Sequence, residues 1–257
     1  MRLSATDTFP YCLSYHHNLQ GFVYRLMREA GFDDLHDLKG SKFFSFSNLI
    51  PPSKTVQGGS RRSLIIASPS TDLVKGMRDE AERLIGSEIN IGPMRFQLQG
   101  SEIFEARIPD EYQDCGLVTG TPIVLRIPRY RLQEYEITPA RGYDYVYWRK
   151  EHTPTVFIKQ LEENLIKKYN QYHRSEVENS PMFERLRFNK QVAVPLRVRG
   201  KETTIIGTLW EFPLPPLDDM KREILQFGLD AGLGEMNSLG FGFMNLMKAN
   251  MHGEEVI

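Results

Sequence analysis

FERLRFNKQVAVPLRVRGKETTIIGTLWEF, residues 183–212, carries two strand-forming runs on either side of Arg199-Gly200-Lys201. A short polar break containing glycine between two such runs predicts a β-hairpin, with strands over 183–198 and 203–212. Helix patterns lie on both sides of it. Thr153-Pro154 opens a long helix over 154–172, with proline at a tolerated first-turn position. Asp218-Asp219 opens another over 217–230, where acid is favourable beside the helix N–H dipoles. A strand over 122–128 (PIVLRIP) precedes the first helix, and another near 240–248 follows the second. The order is β-α-β-β-α-β, that of a ferredoxin-like unit. The segment 129–152, rich in arginine and tyrosine, reads as an insertion.

The first half gives the same order. Residues 2–9 alternate as a strand does, and 16–30 place Leu19, Phe22, Val23, Leu26 and Met27 on one helical stripe that Gly31 ends. Residues 43–50 (FFSFSNLI) and 61–70 (RRSLIIASPS) read as strands around a loop. A helix follows over 71–86, with Leu73, Met77, Ala81 and Leu84 inward. Then come strands over 89–100 (INIGPMRFQLQG) and 101–108 (SEIFEARI). The fold class expected is α+β, with tandem ferredoxin-like (RRM-like) βαββαβ domains over 1–115 and 116–257.

Bulk properties exclude several classes. Of 257 residues, 40% are hydrophobic and 25% charged, an ordinary globular balance with enough chain for two cores. The net charge of −1 gives no sign of nucleic acid, so any basic surface must be local. Cys12 and Cys115 are too few for a disulfide framework and match no metal spacing. Arg2 is not followed by the apolar run of a signal peptide. No stretch approaches the roughly 18 apolar residues of a membrane span. The expected location is the cytoplasm, with no membrane partner.

One local basic surface is the hairpin. Residues 183–201 hold Arg185, Arg187, Lys190, Arg197, Arg199 and Lys201 against Glu184, a local charge of +5. Arg197, Arg199 and Lys201 are two apart, which puts them on one strand face. Arg126, Arg129 and Arg131, with Tyr130 between them, add a second group. Basic side chains interleaved with aromatics suit single-stranded RNA, where phosphates are neutralised and bases stack. For any one such run the plain alternative is a solvated face.

Residues 228–245 read GLDAGLGEMNSLGFGFMN. Gly232, Gly234, Gly240 and Gly242 permit positive φ and a close backbone approach to phosphate, and Asn237 and Ser238 add side-chain donors. The plain alternative is a flexible helix-to-strand connection. There is no Gly-Lys-Ser/Thr of a P-loop, and a loop from helix to strand runs the wrong way for a dinucleotide fingerprint.

Gly-Leu-Gly, five residues, then Gly-Phe-Gly resembles the signature loop of the repeat-associated RNA-binding protein superfamily, which includes the endoribonucleases that process CRISPR precursor RNA. Residues 15–24 (YHHNLQGFVY) and 35–44 (LHDLKGSKFF) are similar to the N-terminal pattern of those enzymes. Carried over position by position, Tyr24, His36 and Lys42 match the family's catalytic triad. Lys39, His16 and His17 are neighbouring competitors for those roles.

The resemblance implies two ferredoxin-like domains and an RNA-gripping hairpin in the second. It also implies a loop, Gly232, Gly234, Asn237, Ser238, Gly240 and Gly242, on the RNA backbone. Arg126, Arg129, Lys190, Arg197, Arg199 and Lys201 are the basic contacts expected. The implied partners are a CRISPR repeat RNA and, as further candidates, other CRISPR effector-complex subunits; the chain is expected to be a monomer or homodimer. The chemistry is self-consistent. RNA supplies its own nucleophile, the 2′-hydroxyl, so the protein need supply only a base, an acid and positive charge. Histidine has the intrinsic pKa for proton transfer near neutrality, which suits His36 to the role; Tyr24 can donate to an oxygen, and Lys42 supplies a cation. No cofactor and no metal are expected, since no carboxylate or Cys/His cluster has ligand spacing. The alternative function is a non-catalytic RNA-binding subunit of an effector complex.

Overall fold

The computed structural model describes residues 1–11, 15–34, 40–109, 115–138, 142, 144–198 and 201–248. In the first half β1 (Arg2–Ala5), β2 (Phe9–Pro10) and α1 (Tyr15–Glu29) come first. Four short strands follow, β3 (Ser45–Phe46), β4 (Thr55–Val56), β5 (Arg61–Ser63) and β6 (Ile66–Ala67), then α2 (Thr71–Arg83), β7 (Glu88–Ile91) and β8 (Met94–Gly100). The second half comprises β9 (Cys115–Thr119), β10 (Arg126–Pro128), β11 (Tyr145–Tyr147), α3 (Pro154–His173), β12 (Arg187–Val198), β13 (Lys201–Pro213), α4 (Asp219–Ala231) and β14 (Met244–Lys248).

Each half is built on one four-stranded antiparallel sheet, β5-β1-β8-β7 and β14-β9-β13-β12. Both are ferredoxin-like. The opening strand of each half lies between an edge strand and the second strand of a hairpin or its equivalent. The second half has the order strand, helix, hairpin, helix, strand, but its opening strand is β9, not the 122–128 read from sequence. Arg126–Pro128 of that run is β10, which pairs only with β11 in a small separate ribbon, while β9 lies between β13 and β14. Its hairpin runs from Arg187↔Glu211 to Val198↔Lys201, as the Arg-Gly-Lys break predicts.

The first half departs from β-α-β-β-α-β. Its hairpin, β7 and β8, follows α2, and among the described residues only the edge strand β5 joins the sheet between α1 and α2. The reason is local. Residues 89–100 are not one strand, because Gly92, at φ +61°, and Pro93 turn the chain within it. The apolar run 43–50 is not a sheet strand either: only Ser45–Phe46 forms a strand, paired with β6, while Phe44, Phe46 and Leu49 plug the core. Residues 101–108 form no strand. Gln226 of α4 serves that backbone instead, accepting from Ile108 N (2.9 Å) and donating to Ala106 O (2.9 Å).

Two large cores result. In one, α1 and α2 cover the first sheet with Leu19, Val23, Leu26, Leu73 and Met77 against Leu3, Phe96 and Leu98. In the other, α3 and α4 cover the second sheet with Phe157, Leu161, Leu165 and Leu225 against Leu117, Trp210 and Phe212. A third, smaller cluster places Val194, Leu196 and Ile205 of the long hairpin against Val124 and Phe241. Among the described residues no helix is long and apolar enough to cross a membrane.

Candidate functional site

The stripe that buries α1 also fixes Tyr24. Val23 and Met27 turn inward on either side of it, which leaves the tyrosine half-buried on the helix flank. Its ring meets Phe44 edge-on, centroids 5.8 Å apart. Two residues before that phenylalanine, Lys42 brings its Nζ to 5.0 Å from the Tyr24 ring centroid. The phenol and the ammonium therefore share one patch, although they lie far apart in sequence. His36 lies outside the described residues, as do Lys39 and Arg199 and the side chains of Arg197 and Lys201.

Of the two competing histidines, His16 is placed elsewhere. His16 is fully buried, its ring stacked between Tyr15 (4.2 Å) and Phe241 (4.5 Å). Its Nδ1 donates to the carbonyl of Leu239 at 2.9 Å. Burial pushes its pKa down to about 4, so the ring is neutral at physiological pH. Two turns before Tyr24 on the same helix, it lies about 12 Å away along the axis. It belongs to the joint between α1 and the glycine-rich loop.

That loop is where the distant motifs meet. It leaves α4 at Gly232 (φ +88°), passes Gly234 (φ +68°) and Met236 (φ +61°), makes a 3-10 turn at Asn237–Leu239, and exits through Gly240 (φ +84°) and Gly242 (φ +67°). Positive φ explains glycine at four of these positions. Crowding explains it further: a Cβ on Gly240 would stand 2.6 Å from Phe46, and one on Gly234 2.7 Å from Ile123 and from the Val124 carbonyl. The positive φ read in the sequence is present at all four glycines, and their lack of a Cβ also lets the loop pack on the protein itself.

Asn237 is likewise committed inward. Its Nδ2 donates to Leu233 O and Phe241 O, both at 3.0 Å, and its Oδ1 accepts from Lys168 Nζ at 3.0 Å. Ser238 is half-buried. Among the described residues the backbone N–H groups of Met236, Asn237 and Ser238 have no backbone acceptor.

Two residues that brace the loop escaped the sequence reading, Lys168 and Glu235. Lys168 is fully enclosed beneath the loop. Its signal was available: it stands three residues after Leu165 on the apolar stripe of α3, where a lysine has no solvent to reach. Glu235 accepts from the backbone N of Arg126 at 2.8 Å and pairs with its guanidinium, which also covers the Tyr145 ring at 5.1 Å. Arg126 thus ties the loop to β10. Arg129 and Lys190 are exposed, and Arg129 lies on the Arg129–Arg131 turn beside Tyr130, which is 84% exposed. Arg131 pairs with Glu134 and Glu163 and drops out of the basic track. Among the described residues no group of His, Cys, Asp and Glu has the geometry of a metal site.

Comparison with known proteins gives the family and the fold. The family model for CRISPR associated protein Cas6, C-terminal, matches residues 107–246, which include the insertion, the hairpin and the glycine-rich loop. The chain is 30% identical to CRISPR-associated endoribonuclease Cas6 2 of Methanocaldococcus jannaschii, over 90% of this chain and 92% of that one. It is also 30% identical to CRISPR-associated endoribonuclease Cas6 of Haloferax mediterranei, over 99% and 95%. A solved structure described as CRISPR associated protein Cas6 superposes with a TM-score of 0.69 over 95% of this chain and 96% of that one; at 21% identity it speaks for the fold. The chain belongs to the Cas6 family of CRISPR endoribonucleases, within the repeat-associated RNA-binding proteins.

Proposed function

We propose that this protein is a metal-independent endoribonuclease that cuts CRISPR precursor RNA within the repeat and releases guide RNAs. The carrying observation is the shared patch of Tyr24 and Lys42, with the Lys42 ammonium 5.0 Å from the Tyr24 ring centroid. In this reading the 2′-hydroxyl of the nucleotide before the cut attacks the adjacent phosphate. His36 moves a proton at the attacking or leaving oxygen, Tyr24 donates a hydrogen bond to a phosphate or leaving oxygen, and Lys42 balances charge on the phosphorane. The products are a 2′,3′-cyclic phosphate or 3′-phosphate and a 5′-hydroxyl.

The RNA lies along the second half. The glycine-rich loop offers a phosphate the N–H groups of Met236, Asn237 and Ser238. Lys190, Arg197, Arg199 and Lys201 of the hairpin supply cations, with Arg129 on the insertion. Arg126 acts through its pair with Glu235. The two separate cores support a division into domains 1–115 and 116–257, the first with the catalytic residues and the second with the RNA grip. The same reading puts the protein in the cytoplasm, delivering its product to an effector complex.

Purified protein incubated with a repeat RNA in chelator tests this. Cleavage is expected, and a 2′-deoxy nucleotide before the cut should abolish it while binding persists. Cleavage of the deoxy substrate, or loss of activity in chelator, refutes the mechanism. Binding without any cleavage identifies a non-catalytic RNA-binding subunit instead.

A further inference from the structure

Lys168 is placed where a helix normally carries leucine. It is fully enclosed, and its Nζ donates to Gly232 O (2.5 Å), Gly234 O (3.0 Å) and Asn237 Oδ1 (3.0 Å). An ammonium group has three protons, and three acceptors stand around this one. Burying such a group is unfavourable unless it is fully hydrogen-bonded. Here burial pushes the lysine down to about 7, opposed by the carboxylate of Glu235. An apolar side chain would fill the stripe of α3 without that cost, so the charge has to be explained by what it holds. All three acceptors belong to the glycine-rich loop.

The arrangement works with Asn237. The asparagine ties Leu233 O to Phe241 O across the loop, and its remaining oxygen is taken by Lys168. We infer that Lys168 is a positioning residue for RNA binding: it draws two loop carbonyls and the Asn237 side chain inward, and so fixes the one loop shape that leaves the amides of Met236, Asn237 and Ser238 available to a phosphate. Lys168 itself touches no RNA. The inference rests on the loop being an RNA contact.

The experiment compares the parent protein with Lys168→Met, which keeps length and loses every donor. Three quantities are measured: RNA affinity on a non-cleavable 2′-deoxy repeat, single-turnover cleavage at saturating protein, and the melting midpoint. Affinity should fall about tenfold or more, as for loss of hydrogen bonds from a charged group. The saturated cleavage rate should stay within a few-fold. Asn237→Ala should give the same split, and the double variant should lose little more than the worse single one, because both act on one loop shape.

A role in stability alone predicts a lower melting midpoint with unchanged affinity of the folded protein; that result overturns the inference. Should Lys168→Met fail to fold, Lys168→Gln, which retains two donors, replaces it, and an unchanged affinity there overturns the inference equally. If the parent protein does not bind repeat RNA at all, the functional reading itself fails.

Discussion

At the scale of single residues, the two histidines on either side of Tyr24 in sequence separate chemistry from architecture. His36→Ala should lower single-turnover cleavage by about 10²–10⁴-fold, the usual loss for a general acid–base group. Affinity for the repeat should stay within a few-fold, since the proposed grip lies in the other half. A rate at saturation equal to the parent's would remove His36 from the mechanism. His16 should report through stability. Its folded pKa is about 4 against an ordinary 6.5, so the unfolded chain binds the proton more tightly. Stability is therefore full above about pH 6.5 and is lost as pH falls toward 4. At most this amounts to roughly 3 kcal/mol. His16→Phe keeps the stack on Phe241 but cannot titrate, so its melting midpoint should fall less than the parent's between pH 7 and pH 5. Equal falls would show that other groups carry the acid sensitivity. The meeting of Tyr24 and Lys42 could be expected from sequence because one motif names both; their proposed roles rest on the resemblance. Lys168 was not legible, because a lysine on a helix is usually a solvated charge and only its stripe position speaks against that.

At the scale of elements, the glycine-rich loop was legible as special, and positive φ as one reason for its glycines; the crowding around them was not. The atoms that a Cβ on Gly240 would strike belong to Phe46 and His16, far away in sequence. Gly240→Val should therefore act first on folding. A β-branched residue at φ +84° is strained, and the ring of Phe46 must move. A loss of about 2–5 kcal/mol, seen as a lower urea midpoint, is the expected outcome; undiminished stability would show that the loop can re-form around the side chain. The hairpin is a cleaner element for binding. Its inward face packs Val194 and Leu196 in one cluster with Phe241, while Lys190 is exposed. Arg197→Ala combined with Arg199→Ala should weaken RNA binding and make log K less steep against log salt, by about one unit for each phosphate left without its cation. Cleavage should recover at saturating protein. An unchanged salt slope would mean that neither arginine meets a phosphate.

At the scale of the whole molecule, the hairpin and the flanking helices of the second sheet were readable because each is a local pattern, but its opening strand β9 was not, since the more apolar 122–128 run beside it reads as the better strand. The first sheet has a similar spatial order reached by a different chain path, and the sequence misled where a Gly92-Pro93 turn was hidden inside an apolar run. What no local pattern carried is the joint between the halves, where His16 meets Leu239 across 223 residues. That separation has a consequence during synthesis. At about 5–20 residues per second, a ribosome needs roughly 10–45 s to travel from one partner to the other. Throughout that interval the first half can fold around its own core, but the places where Phe46 and His16 receive the loop stand open on the nascent chain. The molecule closes only once the chain has been made past Leu239, so a product terminated before that point would keep the helix bearing Tyr24 without the latch that seats it.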